Sequence, residues 1–514
     1  MFSNNSKYFF YLIVLLGFGL ITLSNPFLHF PYDAIAHLIA IDEMYHGGTT
    51  TSTSIPRARL LWHSIWANIF ILFHIDSTQL LLRAKIIHVV QMGITLFSVY
   101  YFSHVLIRNI FKKINKQTLQ YLSLWSVLIW LSIFATFSVH YQLVWSLWYS
   151  VNYQITLAFF WYITALTMVL FLEHTSTQKK LFFIFQIILL SMFILRVHAM
   201  EFMYYLMYLS VFTLVYIDKV SLTLKKYYYI LIPLLAVIIY FILNYQSEDS
   251  KFLSYLTIEK IPSFYERVIW TGHVITTQLN RSYASINELM YLIYYMSIVV
   301  FFIFIWHWYR NKQYVNPRIF IFLFITALFV TIPLYDFTAG LFGLITRNNV
   351  IHRMYYSSSI FVLLPILVYY VSQMYNLNLK YTNLLLFLCI VSALLVSKHT
   401  NLMNHTYYKN IKSIKNSFSL EKNQFHLTQD NIDYIGKKLD EYEKNSLSNK
   451  RIFCYARADI AFVIKYVYGK KAYWLGRRTN PNYKKLYELE KHYTKYHMVL
   501  FETPETFPDY VPYQ

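Results

Sequence analysis

The chain is poor in what soluble and secreted folds are built on. Only 14% of its 514 residues are charged, where a soluble globular domain carries about a quarter. That shortage excludes an ordinary water-soluble globule. Just two cysteines occur, Cys389 in an apolar run and Cys454 in a polar one, so no disulfide framework can be read from spacing. There is no internal repeat, no heptad array and no low-complexity tract, and the inverted repeats that mark secondary transporters are not visible. Residues 118–172 contain no Asp or Glu at all, so that stretch brings no carboxylate to a site.

What the chain has is apolar length. It is 57% hydrophobic and 20% aromatic, with a mean hydropathy of +0.38. Its repeated apolar runs of roughly 17–25 residues suffice to cross a bilayer as helices. The formal charge of +20 would point to nucleic acid if it were spread over one face. Instead the basic residues cluster in short loops between apolar runs, where Lys and Arg report orientation. The reading is a multi-pass membrane protein whose partner is the lipid bilayer, with no nucleic acid.

Spans are predicted at roughly 8–25, 82–107, 118–138, 153–172, 181–196, 201–217, 228–244, 288–307, 318–335, 354–374 and 381–397. Segment 60–74 is apolar but short for a span and suits the membrane surface. The first run begins near Tyr8 and lacks a small-residue cleavage site, so it reads as a retained helix. Lys7, Arg108 with Lys112, Lys113 and Lys116, Lys179 with Lys180, Lys219 with Lys225 and Lys226, Arg310 with Lys312 and Arg318, and Lys380 fall on one side. The positive-inside bias makes that side cytoplasmic.

The predicted fold class is a mainly α polytopic bundle of about eleven spans. The N-terminus lies in the cytoplasm of a bacterial inner-membrane protein and the C-terminus outside. Residues 1–397 form the membrane domain, with outer loops 26–81, 245–287 and 336–353 and an aromatic outer loop His140–Tyr153. Residues 398–514 form a polar tail. A helical stretch near 429–445, β-like runs at 451–455 and 497–501 and an amphipathic segment at 458–468 suggest a small extracytoplasmic α/β domain.

Chemistry starts at Asp33, just past the first apolar run, where a carboxylate at the lipid–water boundary usually has a role. If residues 33–45 are helical, Asp33 and His37 lie one turn apart on one face. Asp42 then points the opposite way and, with Glu43, meets solvent or the next loop. An N-terminal helix cap is the plain alternative for Asp33, and an ordinary interfacial histidine for His37.

The run Pro31-Tyr32-Asp33-Ala34 through Met44, closing on Gly47, resembles the first-loop signature of integral-membrane GT-C glycosyltransferases of the aminoarabinose and protein O-mannosyl transferase branches. The signature covers under twenty residues, while the plan of spans, outward site and C-terminal domain is similar over most of the chain. The resemblance implies inverting transfer of a sugar from a polyprenyl-phosphate donor to a glycan, lipid or protein acceptor on the outer face. It makes Asp33 the general base on the acceptor hydroxyl, or a ligand for a divalent metal such as Mg or Mn. Many members carry a second acidic group after the third span. Here that loop is neutral and aromatic, which leaves the metal without a second carboxylate.

Other polar groups at membrane depth complete the candidate set. Arg196, His198 and Glu201 interrupt the fifth and sixth spans, and such charges are costly unless paired or facing a cavity. They read either as an Arg196–Glu201 ion pair or as phosphate ligands (Arg196, His198) beside a second acid, Glu201. Arg347, His352, Arg353 and Tyr355 enter a late outer helix, where arginine suits a lipid phosphate; the plain alternative is snorkelling anchors. Loop 245–287 is long enough for a lid. Two further classes compete: an envelope oligosaccharide polymerase or ligase, and a lipid-linked-sugar transporter or flippase.

Overall fold

The structure is a computed structural model. It describes residues 32–46, 60–76, 80–111, 113–136, 152–222, 315–345, 357–376, 429–445, 451–456, 470–474 and 496–501, with short pieces within 225–306, 381–386 and 460–468. The described residues are mainly helical: α1 (Tyr32–Tyr45), α2 (Leu61–Leu72), α3 (Leu80–Ile110), α4 (Lys116–Thr136), α5 (Asn152–Leu172), α6 (Thr177–Val197), α7 (Ala199–Val215), α8 (Pro317–Ala327), a 3-10 helix (Leu328–Leu334), α9 (Asp336–Ile345), α10 (Ile360–Met374) and α11 (Gln429–Lys444). Three of these segments, Leu82–Ile110, Gln154–Leu172 and Thr177–Val197, are long and apolar enough to cross a membrane. The predicted spans at 8–25 and 228–244, and nearly all of those at 288–307 and 381–397, lie outside the described residues.

Contacts divide the chain into two compact units, one of residues 1–92, 140–152 and 407–514, the other of 93–139 and 153–406. In the first, α1 and α2 pack on each other. Trp62, His63, Trp66, Ala67 and Phe70 form the buried face of α2, at the spacing that one helix face requires. Its other side exposes Leu61, Ile65, Ile71 and Leu72. An apolar outer face on a helix too short to span is what a position in the membrane surface needs.

The same unit contains strands β1 (Arg451–Ala456), β2 (Lys471–Trp474) and β3 (Tyr496–Leu500), parallel in the order β2-β1-β3. Phe453 pairs with Lys471 and Arg451 with Tyr496. Alternate β1 residues Ile452, Cys454 and Ala456 join Ile432, Ile435 and Leu439 of α11 and Ile460, Val463 and Ile464 in one apolar core. At Gly436 any side chain would strike the Tyr468 ring, whose hydroxyl donates to the Ile432 carbonyl at 2.6 Å.

The second unit is held by an aromatic core. Trp161 sits 4.6 Å from Phe102 and 5.1 Å from Phe361, and Tyr208 lies 5.1 Å from Phe160 and 5.8 Å from Phe322, by ring centroids. Several helix ends meet one another. Arg108 pairs with Glu173, the backbone N–H of Asn316 donates to the Ile110 carbonyl at 2.7 Å, and Arg318 grips both Asp218 oxygens at 2.7 and 2.8 Å. Asn115, Ser176 and Asn316 cap the helices that begin there, each accepting a backbone N–H, as short polar side chains do at helix starts.

The predicted helix 318–335 is corrected: α8 ends at Ala327 and the chain continues as a 3-10 helix. Pro333 lacks an N–H, and in an α-helix its ring would clash with the carbonyl four residues back. The loosened ladder is satisfied from the residues that lead into α10. Ser358 donates to the Ala327 carbonyl at 2.7 Å, Ser359 to the Leu323 carbonyl at 3.1 Å, and Thr326 and Ser359 share a 2.6 Å hydrogen bond.

Candidate functional site

Asp33 and His37 both lie on α1, one turn apart; the side chain of Asp33 is outside what the structure describes. His37 is half-buried against α2. Its Nδ1 is 2.6 Å from Nε2 of the fully buried His63, and the rings meet end to end, nearly parallel, with centroids 4.9 Å apart. Trp62 lies edge-on to both imidazoles, and its indole N–H donates to Gln91 on α3 at 2.8 Å. A nitrogen–nitrogen hydrogen bond needs one donor and one acceptor, so the facing nitrogens hold a single proton between them.

Asp42 requires a correction. Rather than meeting solvent, it is 1% exposed and paired with the equally buried Arg83 at 3.0 Å. Arg83 also donates to the Ile75 carbonyl from Nε (3.2 Å) and Nη2 (2.6 Å). Its guanidinium lies 4.1 Å from the Tyr45 ring centroid and 5.1 Å from that of Phe70. A buried ion pair is tolerated only when such further bonds and ring contacts replace lost water. The effect is to fix α1 to the start of α3.

Arg83 opens a polar stripe: Arg83, His88, Gln91, Thr95 and Ser98 are all buried on α3, three to five residues apart and so along one side. Sequence reasoning took 82–107 for a plain span and missed this stripe and the role of His63. The signal was available in the helical spacing of polar residues inside both apolar runs.

In the second unit, His198 stands in extended backbone between α6 and α7. Its Nδ1 meets Glu201 Oε2 at 2.5 Å, and Thr156 of α5 donates to the same oxygen at 3.2 Å. Glu201 is 4% exposed and lies in the first turn of α7, where the helix dipole favours a carboxylate. The partners found for Glu201 are thus His198 and Thr156, while Arg196 is exposed. With Nδ1–H on the carboxylate, the neutral imidazole carries its basic lone pair on Nε2. The trio can take up a proton, or bind an anion once protonated. Its fixed Nδ1 contact makes Glu201 an orienting group for His198 rather than an open second acid.

At α9, Thr276 and His273 approach the Asp336 carboxylate, His273 at 3.4 Å. A Cβ at Gly272 would strike the Asp336 carbonyl, and one at Gly340 the Val268 carbonyl, so two backbones cross in direct contact. Pieces of loop 245–287 and segment 336–353 therefore pack on each other. Arg347, His352, Arg353 and Tyr355 lie outside the described residues.

For a divalent metal the described residues offer no fit. Among them no group of three His, Cys, Asp or Glu side chains could hold an ion, and one nitrogen each of His37 and His63 is taken up by the other ring. Comparison with protein-family models, curated proteins and solved structures finds no match.

Proposed function

We propose that the chain is a membrane glycosyltransferase that moves a sugar from a polyprenyl-phosphate donor to a hydroxyl acceptor on the outer face, with Asp33 as general base. One observation carries the reading. Within the segment similar to the GT-C first-loop signature, Tyr32–Tyr45 form the helix α1, which bears Asp33 and His37 and is held to α2 by the His37–His63 contact and to the start of α3 by the buried Asp42–Arg83 pair. A base must be held within hydrogen-bond reach of the proton it takes, and a helix fixed at Asp42 and His37 supplies that constancy. His198 with Glu201, and the Arg347, His352, Arg353 and Tyr355 group, are the proposed phosphate-binding side.

The proposed topology has eleven spans, a cytoplasmic N-terminus and an extracytoplasmic α/β domain over 398–514, in a bacterial inner membrane. The joined helix ends fit its alternation of sides, whichever side is the cytoplasm. Arg108, Glu173, Asp218 and Arg318, all at ends assigned to the cytoplasmic side, meet in pairs, while Glu201, His198 and Thr156 gather ends assigned to the other side.

The test is transfer of labelled sugar from polyprenyl-phosphate hexoses and pentoses by the purified protein in liposomes. Wild type transfers at least one sugar, and Asp33→Asn, still inserted and folded, does not. Wild-type turnover in that variant removes Asp33 as base. A lipid-linked-sugar transporter is the second reading, favoured by the break after Ala327 and the buried polar stripe of α3, since transporters place broken helices at their sites. Movement of the lipid-linked sugar between leaflets without transfer would select it. A polymerase or ligase would instead need a diphosphate-linked chain as donor.

A further inference from the structure

We infer that His37 and His63 act as one proton-holding dyad that receives the acceptor proton during sugar transfer; this rests on the proposed function. The four ring nitrogens of the neutral pair carry two protons, one of them in the 2.6 Å bridge. A third proton fits on an outer nitrogen. A fourth would set two N–H groups against each other across that bridge, so the pair works as a single-charge site. Burial of His63 and the edge-on Trp62, itself anchored on Gln91, hold the two rings end to end.

On α1, Asp33 lies one helical turn before His37; Asp42 points away and is bound to Arg83 and approached by His46. Besides His63, α2 carries no ionisable group. On α3 the ionisable groups along the side of Gln91 are Arg83, already on Asp42, and buried His88.

In the step, the acceptor oxygen bonds to the anomeric carbon and the bond from that carbon to phosphate oxygen breaks. The electron pair leaves on polyprenyl phosphate. The hydroxyl proton, taken by Asp33, passes to the dyad, which goes from two protons to three and releases one to water before the next turnover. His37 and His63 are positioning and relay residues here, not contacts of the sugar.

The test uses the full-length protein with 15N-labelled histidine in lipid nanodiscs, the two rings being assigned by His37→Gln and His63→Gln. In wild type both rings change together in one titration step. In His63→Gln the His37 ring titrates alone, kcat for a polyprenyl-phosphate hexose falls about 10²-fold, its acid limb moves and the donor KM stays. Two independent titrations in wild type overturn the dyad, and do so even if His63→Gln fails to fold. An unmoved kcat and acid limb in His63→Gln overturn the relay. A wild type that transfers no sugar while its rings titrate together removes the transfer reading, and the relay with it. Sugar transfer with independent titrations removes the dyad and leaves the transfer reading standing.

Discussion

At the scale of single residues, the Asp42–Arg83 pair decides most. Both side chains are buried, so removing one leaves a charge without compensation. Arg83→Ala should destabilise by about 3–5 kcal/mol, read as a lower midpoint of thermal unfolding in detergent. The double replacement Asp42→Leu with Arg83→Met should recover much of that loss, because two apolar side chains bury no charge. That Asp33 and His37 lie one turn apart on a helix was legible from spacing. His63 was not singled out, because a histidine in an apolar run gains meaning only when a second imidazole is brought against it.

Cys454 gives a pH-dependent prediction. Burial in the sheet core pushes its thiol up to about 12, well above an unfolded cysteine. The folded state therefore keeps the proton longer than the unfolded one. Its contribution to stability is present at neutral pH and is lost as pH rises from the unfolded value toward that figure. Unfolding midpoints of Cys454→Ala and wild type should converge across that alkaline window. At neutral pH the folded thiol should resist maleimide until denaturant exposes it, since only the thiolate reacts readily.

Among the elements, the break after Ala327 is the main departure from hydropathy. An apolar window cannot register that Pro333 withholds an N–H, nor that serines leading into another helix wait to satisfy the released carbonyls. Ser359→Ala should cost about 0.5–1.5 kcal/mol, the net worth of a hydrogen bond whose partners stay satisfied, since Thr326 keeps its bonds to the Phe322 and Leu323 carbonyls, while an exposed serine such as Ser210 should tolerate the same change. The crossing of residues 268–274 with α9 depends on bare backbone. Gly272→Ala places a methyl group on the Asp336 carbonyl and should lower thermal stability by about 1–3 kcal/mol, as overpacking does. Replacing His273, which is exposed, should not.

For the whole molecule the open question is orientation, and it has a direct measurement. Single cysteines at positions 113, 174 and 219, placed in a Cys389→Ala, Cys454→Ala background, should be shielded from an impermeant maleimide in intact cells. They should react in inverted vesicles. Cysteines at exposed positions 430 and 444 of α11 should do the opposite. Reaction of both sets from the same side would overturn the eleven-span arrangement. The ion pairs Arg108–Glu173 and Arg318–Asp218 concern only the first set and stand whichever way the protein is inserted.

The sequence alone determined the solvent. Apolar run length and sparse charge require a membrane-like helical chain, because hydrocarbon tolerates helices whose backbone bonds are internal. The starts of α4, α6 and α8 are local as well, resting on side chains at Asn115, Ser176 and Asn316, but hydropathy alone put the second of them at 181 and not at Thr177. Only the tertiary structure decided which polar groups become partners. Asp42 with Arg83, His37 with His63, and Glu201 with His198 and Thr156 are choices between helices or across a helix junction. Periodicity assigns a residue to a face but does not say what that face will meet, and a buried charge is made tolerable only by what it meets.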